Sequence, residues 1–210
     1  MRSSAAFRNA YGRATFVCAD GWPIGWLANR AAGRRLFERA AGADLIEPLL
    51  QAAAERRLSV FYLIGPGPSA QAAAVAELKR SAPDLVIAGA ETPHVGLGDV
   101  EFERLAMAER IRASGAHLCL VALGAPEQEL LADALAPHCP SVGFLCIGAA
   151  LNFIGGHTRR APLWMQRGGL EWLWRLGAEP YRLAARYAAC AYVFLLLGIG
   201  VDVVPAEERR

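Results

Sequence analysis

Leu58-Ser59-Val60-Phe61-Tyr62-Leu63-Ile64-Gly65-Pro66-Gly67-Pro68-Ser69 is the stretch that decides the fold. Leu58–Ile64 carries no charge and is rich in β-branched and aromatic side chains, the pattern of a strand buried on both faces. The glycine–proline run ends that strand. The alanine-rich segment Ser69–Ser81 then reads as a helix, with Ser69 able to cap its first turn. The same alternation recurs on either side. Ala14–Ala19, Leu85–Ala88 and Leu118–Ala122 read as further strands, and Val142–Ile147 as a fifth. Helices fit over Leu45–Arg56, over Val100–Ser114 with Gly115 ending it, and over Pro126–Ala136. Phe7, Ala10, Tyr11 and Ala14 have helical spacing, so the chain opens inside a helix that runs into the first strand. Strands alternating with helices predict an α/β fold, a Rossmann-like parallel sheet with helices on both faces.

A chain of 210 residues accommodates one sizeable domain with a small appendage. We place an α/β core over 1–155 and an Arg/Trp-rich helical C-terminal appendage over 156–210. The apolar fraction is 54% and the net charge is +2, so no bulk field draws the chain onto nucleic acid. Basic character is local and carried by arginine, Lys79 being the one lysine. No charged segment precedes an apolar run in 1–14, so no signal peptide is expected. The five cysteines are odd in number and lack C-x-x-C spacing. Cys18, Cys119 and Cys146 lie in strand-like runs and read as buried thiols of a reducing cytoplasm. No metal-ligand spacing emerges from the histidines and cysteines.

Ligands of parallel sheets bind at the carboxyl ends of the strands. Those ends read Asp20-Gly21, Gly65-Pro66-Gly67, Gly89-Ala90, Gly124-Ala125-Pro126 and Gly148. The Gly65–Pro68 turn before a helix has the shape of an anion cradle, although a tight turn without ligand is the commoner explanation of such a run. Asp20, ending a strand, is placed for general-base work or for capping the helix at Trp22. Glu127 and Glu129 suit the dipole of the helix they open. Gln128 carries an amide suited to sugar hydroxyls or a base edge.

The last quarter reads Arg160-Ala161-Pro162-Leu163-Trp164, then Gly169-Leu170-Glu171-Trp172-Leu173-Trp174-Arg175-Leu176, then Glu179-Pro180-Tyr181-Arg182. Pro180 opens a new helix after one ending near Ala178. Arg182 and Arg186, four apart, share a face of it. Six arginines between 159 and 186 face two acids, a patch fitted to phosphate or a solvated helix face. No Asp-x-Asp occurs, so an enzyme with a diphosphate leaving group would need arginines and backbone dipoles to hold the developing charge. The uncharged stretch 187–201 falls short of the roughly twenty residues a spanning helix needs. It reads as a core helix or as a shallow membrane contact.

In order, these segments resemble the WecG/TagA/CpsF family of bacterial glycosyltransferases (glycosyltransferase family twenty-six) over nearly the whole chain. The resemblance is carried by Asp20-Gly21 with Pro23, which is similar to the exopolysaccharide branch. Glu38-Arg39 with Gly42 and Asp44-Leu45, Gly65, and Gly124-x-Pro126-x-Gln128-Glu129 add to it, as does the closing arginine–tryptophan block. It implies an inverting, metal-independent hexosyltransferase, without other cofactor, that acts in exopolysaccharide or cell-surface polysaccharide biosynthesis. The donor implied is a UDP-sugar and the acceptor a polyprenyl-diphosphate-linked saccharide. The enzyme would work peripherally at the inner face of the cytoplasmic membrane, with a homo-oligomer among its expected states. Asp20 corresponds to the proposed base. Arg39, Gly65, Gly124, Gln128 and Glu129 correspond to the donor pocket, and Arg175, Arg182 and Arg186 to arginines closing over the diphosphate.

This sequence departs from the family in three places. The family's first strand, with its Thr/Asn pair, has no counterpart ahead of Met1, so the chain reads as N-terminally truncated. Glu127 stands where lysine is usual, and Leu130 where tryptophan is common. The rival reading is a non-catalytic nucleotide-binding relative serving as a partner or regulator. A dinucleotide-dependent oxidoreductase is disfavoured, because no G-x-G-x-x-G follows a strand.

Overall fold

A computed structural model describes residues 5–18, 20–35, 38, 40, 42–65, 67–93, 101–148 and 161–199. Its elements in chain order are α1 (Ala5–Arg13), α2 (Trp22–Ala32), α3 (Gly42–Glu55), β1 (Ser59–Ile64), α4 (Pro68–Ser81), β2 (Val86–Glu91), α5 (Glu101–Ala113) and β3 (Leu118–Ala122). There follow α6 (Glu127–Leu135), a 3-10 turn (Ala136–His138), β4 (Gly143–Cys146), α7 (Leu163–Arg167), α8 (Glu171–Ala178) and α9 (Pro180–Gly198). The chain forms two compact units. One is Ser4–Val17 with Gly42–Thr158, the other Met1–Ser3 with Cys18–Ala41 and Arg159–Arg210.

The first unit is an α/β layer structure around a parallel sheet of order β2-β1-β3-β4. Side chains alternate across β1 and β3, as strand geometry requires. Phe61, Leu63, Cys119 and Val121 face Met107, Ile111, Leu131 and Leu135 of α5 and α6. Val60, Tyr62, Ile64 and Leu120 face Ile46 and Leu50 of α3 and Leu78 of α4. All six residues of β1 are buried, which explains its unbroken apolar run. Burying each such side chain contributes about 1.5–3 kcal/mol before conformational entropy is set against it. Helix periodicity supplies the other half of each core: Ile46, Leu50 and Ala53 in α3, and Leu131, Ala132 and Leu135 in α6, share one face.

Chain direction fixes the ligand edge. From β1 the chain crosses α4 outward to β2, then returns past β1 through α5 to reach β3 on the other side. Right-handed crossovers in opposite directions must use opposite faces, and α4 and α5 do lie on opposite faces. The order therefore reverses between β1 and β3, and the crevice outside their carboxyl ends is the switch point.

Several sequence expectations are corrected. The described part of Ala14–Ala19 contains no strand. Its β-branched composition is only a propensity, and a strand needs a ladder partner. Phe16 and Val17 are instead 87% and 57% exposed. Asp20 consequently does not end a strand. Gly89-Ala90 does not follow β2 but lies within it, because the missing side chain makes room for a neighbour. A Cβ on Gly89 would sit 2.5 Å from Phe61 Cε2. Ser69 does not cap α4, whose N-cap is Gly67, with Pro68 as the first helical residue. Finally, Cys119 is buried as expected, but Cys18 is exposed, since no sheet covers it, and Cys146 lies on the edge strand β4.

The second unit is helical. Gly21 is the N-cap of α2 at φ 106°, a conformation open to glycine and strained for other residues. Between α7 and α8, Leu170 N–H donates to Met165 O at 2.8 Å and Gly169 N–H to Gln166 O at 3.2 Å. That pair of bonds is a Schellman ending with Gly169 at its left-handed position, φ 70°. Pro180 opens α9 directly after α8, as the sequence predicts. Trp22 and Trp26 of α2 meet Phe194 of α9 with ring centroids 5.8 and 5.6 Å apart. Leu183 is the buried side chain among those described in α9, while Tyr181, Tyr192, Leu195 and Ile199 are exposed, so this is not a core helix. No described helix is long and apolar enough to cross a membrane.

Candidate functional site

The switch-point edge of the first unit is built from the ends of β1, β3 and β4. Gly65 N–H points to Ala122 O at 3.5 Å, and a Cβ on Gly65 would lie 3.1 Å from Leu123 Cδ2. A side chain at residue 65 would therefore crowd the Leu123 side chain just beyond β3. Beyond β3 the chain passes Gly124, whose Cα faces open space, and the cis Ala125–Pro126 peptide into α6. Gly65, Gly124, Gln128 and Glu129 therefore gather at one edge. Of the other expected site residues, Arg39 lies outside the described residues.

Gln128 is 92% buried, being only 8% exposed, and its amide is engaged on both sides. Oε1 accepts the Gly148 N–H at 2.8 Å, and Nε2 donates to Glu129 Oε1 at 2.8 Å. The Cys146 thiol donates to Gln128 O at 3.4 Å. One amide thus ties the first turn of α6 to the end of β4. The other oxygen of Glu129, Oε2, is buried and has no hydrogen-bond partner among the described residues. Its charge is felt nearby. Burial, and secondly Glu129, push the Cys146 thiol up to about 12. Tyr11 of α1 is raised by burial first, then by Glu129 and Cys146. Cys146 is therefore an inert thiol at neutral pH, even though its residue is exposed on an edge strand.

The helix termini at this edge differ in charge. The first turn of α6 holds Glu127 and Glu129, which already answer its dipole. The first turn of α4 holds no acid and no side-chain cap, so it is the better setting for an anion. At the far end of this edge Gln71 Nε2 donates to Ala90 O at 2.5 Å and receives Thr92 Oγ1–H on its Oε1 at 2.9 Å. Arg110 forks onto Glu91 at 2.7 and 2.9 Å. These contacts pin the end of β2 to α4 and α5. Gln71 and Thr92 went unnoticed in the sequence, and Gly148 and Tyr11 read there only as a strand-end glycine and a helix position, because each acts through a partner distant in the chain.

In the second unit Asp20 is exposed and precedes the Gly21 N-cap, so the carboxylate is not the N-cap residue of α2. Arg175 lies in the last turn of α8, where its charge suits the dipole. Arg182 and Arg186 fall in the first two turns of α9, whose opening turn has no acid. The N-cap residue of that helix is Glu179, whose carboxylate suits the dipole. Asp20 and these three arginines belong to the same compact unit. Among the described residues no cluster of His, Cys, Asp and Glu could hold a metal.

The family model described as Glycosyl transferase WecG/TagA/CpsF family matches residues 1–203 of the 210-residue chain. The chain belongs to this family of glycosyltransferases, and with it to enzymes that draw a sugar from a nucleotide-sugar donor and pass it to a glycan acceptor.

Proposed function

We propose that this protein is an inverting, metal-independent hexosyltransferase. It moves a hexose from a UDP-sugar to a polyprenyl-diphosphate-linked saccharide in exopolysaccharide or cell-surface polysaccharide assembly. The observation that carries this reading is the β1/β3 switch point, rimmed by Gly65 and Gly124, in a chain of a glycosyltransferase family. Concave edges at such points are where α/β sheets take nucleotides. Gln128, locked by Gly148 and Glu129, gives that edge a fixed polar group.

In the proposed step Asp20 takes the proton of an acceptor hydroxyl, and the hydroxyl oxygen attacks the anomeric carbon from the side opposite UDP. The bond from that carbon to the diphosphate oxygen breaks and UDP departs. Charge builds on the diphosphate as the sugar gains oxocarbenium character. Arg39, Arg175, Arg182 and Arg186 are the proposed partners of that charge. The proposed division of labour is a donor-binding core over 1–155 and an acceptor- and membrane-facing appendage over 156–210. Exposed Trp164, Tyr181, Leu195 and Ile199 support a membrane surface as its partner, with the inner face of the cytoplasmic membrane as its place of work.

The test is transfer of radiolabel from a panel of UDP-hexoses to a polyprenyl-diphosphate-linked saccharide, with and without chelator. One donor should label the lipid fraction to the same extent in both conditions. A well-folded protein that binds UDP yet labels nothing from any donor would point to a non-catalytic relative.

A further inference from the structure

Residue 22 is held from two directions. On one side, a Cβ on Gly169 would lie 2.8 Å from Trp22 Cδ1 and 3.2 Å from its Cγ, so the indole occupies the space a side chain would need. On the other, the Phe194 ring of α9 meets Trp22 edge-on, at 5.8 Å and 69°. Gly169 is itself fixed, as the left-handed residue of the α7–α8 Schellman turn. Trp22 is the first residue of α2 and stands two residues from Asp20, with only Gly21 between them. Gly21 turns the chain at φ 106° between Asp20 and α2, so a shift of Trp22 is carried through one residue to the backbone of Asp20.

We propose that Trp22 is a positioning residue for Asp20. Seated between Gly169 and Phe194, it lets the C-terminal helices aim the Asp20 carboxylate. The inference rests on Asp20 being the base, and it gives Gly169 a role beyond ending a helix. Misplacing a reacting group by about 1 Å can cost on the order of a hundredfold in rate. Loss of the seat should therefore appear in kcat and leave donor binding alone.

The experiment is a kinetic cycle on the full chain, combining Gly169→Ala with Asp20→Asn, and Trp22→Leu with Asp20→Asn. Trp22→Leu removes the indole without backbone strain and serves if Gly169→Ala does not fold. Calorimetric titration with UDP and the melting temperature are followed in parallel. Either seat variant should lower kcat by about 10- to 100-fold with UDP affinity within about twofold of wild type. In the Asp20→Asn background the same variants should cost no more than about twofold, because no base remains to be aimed. An equal loss in both backgrounds, or full kcat in both seat variants, overturns the positioning role. Undiminished turnover of Asp20→Asn alone instead removes Asp20 as base, a separate and recognisable failure.

Discussion

Gln128 in the first turn of α6 and Gly148 after β4 are joined at 2.8 Å, with the amide of one satisfying the backbone N–H of the other. Gln128 is buried and Gly148 half-buried, so loss of the amide leaves the Gly148 N–H without its partner in a site with restricted access to water. The bond also fixes the face of α6 nearest the switch point, since Gln128 reaches Glu129 with its other end.

Gln128→Ala should destabilise the fold by about 1–3 kcal/mol, because it strands the Gly148 N–H and the Glu129 carboxylate together. UDP affinity should fall with it. Urea denaturation measures the first effect and calorimetric titration the second. Unchanged stability would mean that solvent reaches Gly148.

Tyr62 makes the opposite case. Its ring is fully buried in β1 while its hydroxyl has no partner among the described residues, and burial raises its pKa. Tyr62→Phe removes a polar group that the core does not use. The variant should be as stable as wild type or more so, by up to about 1–2 kcal/mol on urea denaturation.

Gly89 faces the Phe61 ring inside the sheet, and the β1–β2 register shifts at Val60/Phe61. Gly89→Ala should cost about 1–3 kcal/mol through forced movement of that ring. Adding Phe61→Leu should return part of the loss. Additive losses in a double-mutant cycle would show that the two sites do not share the space.

The elements legible in the sequence were those whose signal is local. The apolar run of β1, the helix restart at Pro180 and the glycine ending α5 each follow from a few neighbouring residues. Ala14–Ala19 misled because its composition suits a strand, whereas pairing depends on a partner that composition cannot name. Gly89 misled for a related reason, its purpose being to admit Phe61 from another strand. Candidate site residues divide the same way. Gly65, Gly124 and Gln128 announce themselves at strand ends and do gather at one sheet edge. The partners of Gln128 and the seat of Trp22 arise from contacts across 20 and 147 positions, and no periodicity marks them.

Arg13 of α1 forks onto Asp133 of α6, at 2.6 Å from Nε and 2.5 Å from Nη2. That hydrogen bond, with Arg13's charge, holds the Asp133 carboxyl below its usual value. A carboxylate with a lowered folded pKa stabilises above its unfolded pKa and loses that contribution as pH falls through the folded one. The stability gap between wild type and Asp133→Asn should thus be present above about pH 5 and shrink as pH falls below about 4. Thermal melts of both proteins across that range read it directly. A gap independent of pH would place the contribution outside this ion pair.

Asp20→Asn is the most direct trial of the central claim, since it removes a proton acceptor at nearly constant shape. With a labelled UDP-hexose and a lipid-diphosphate-linked acceptor, turnover should fall by about two to four orders of magnitude while UDP binds as before. Turnover equal to wild type would contradict the account.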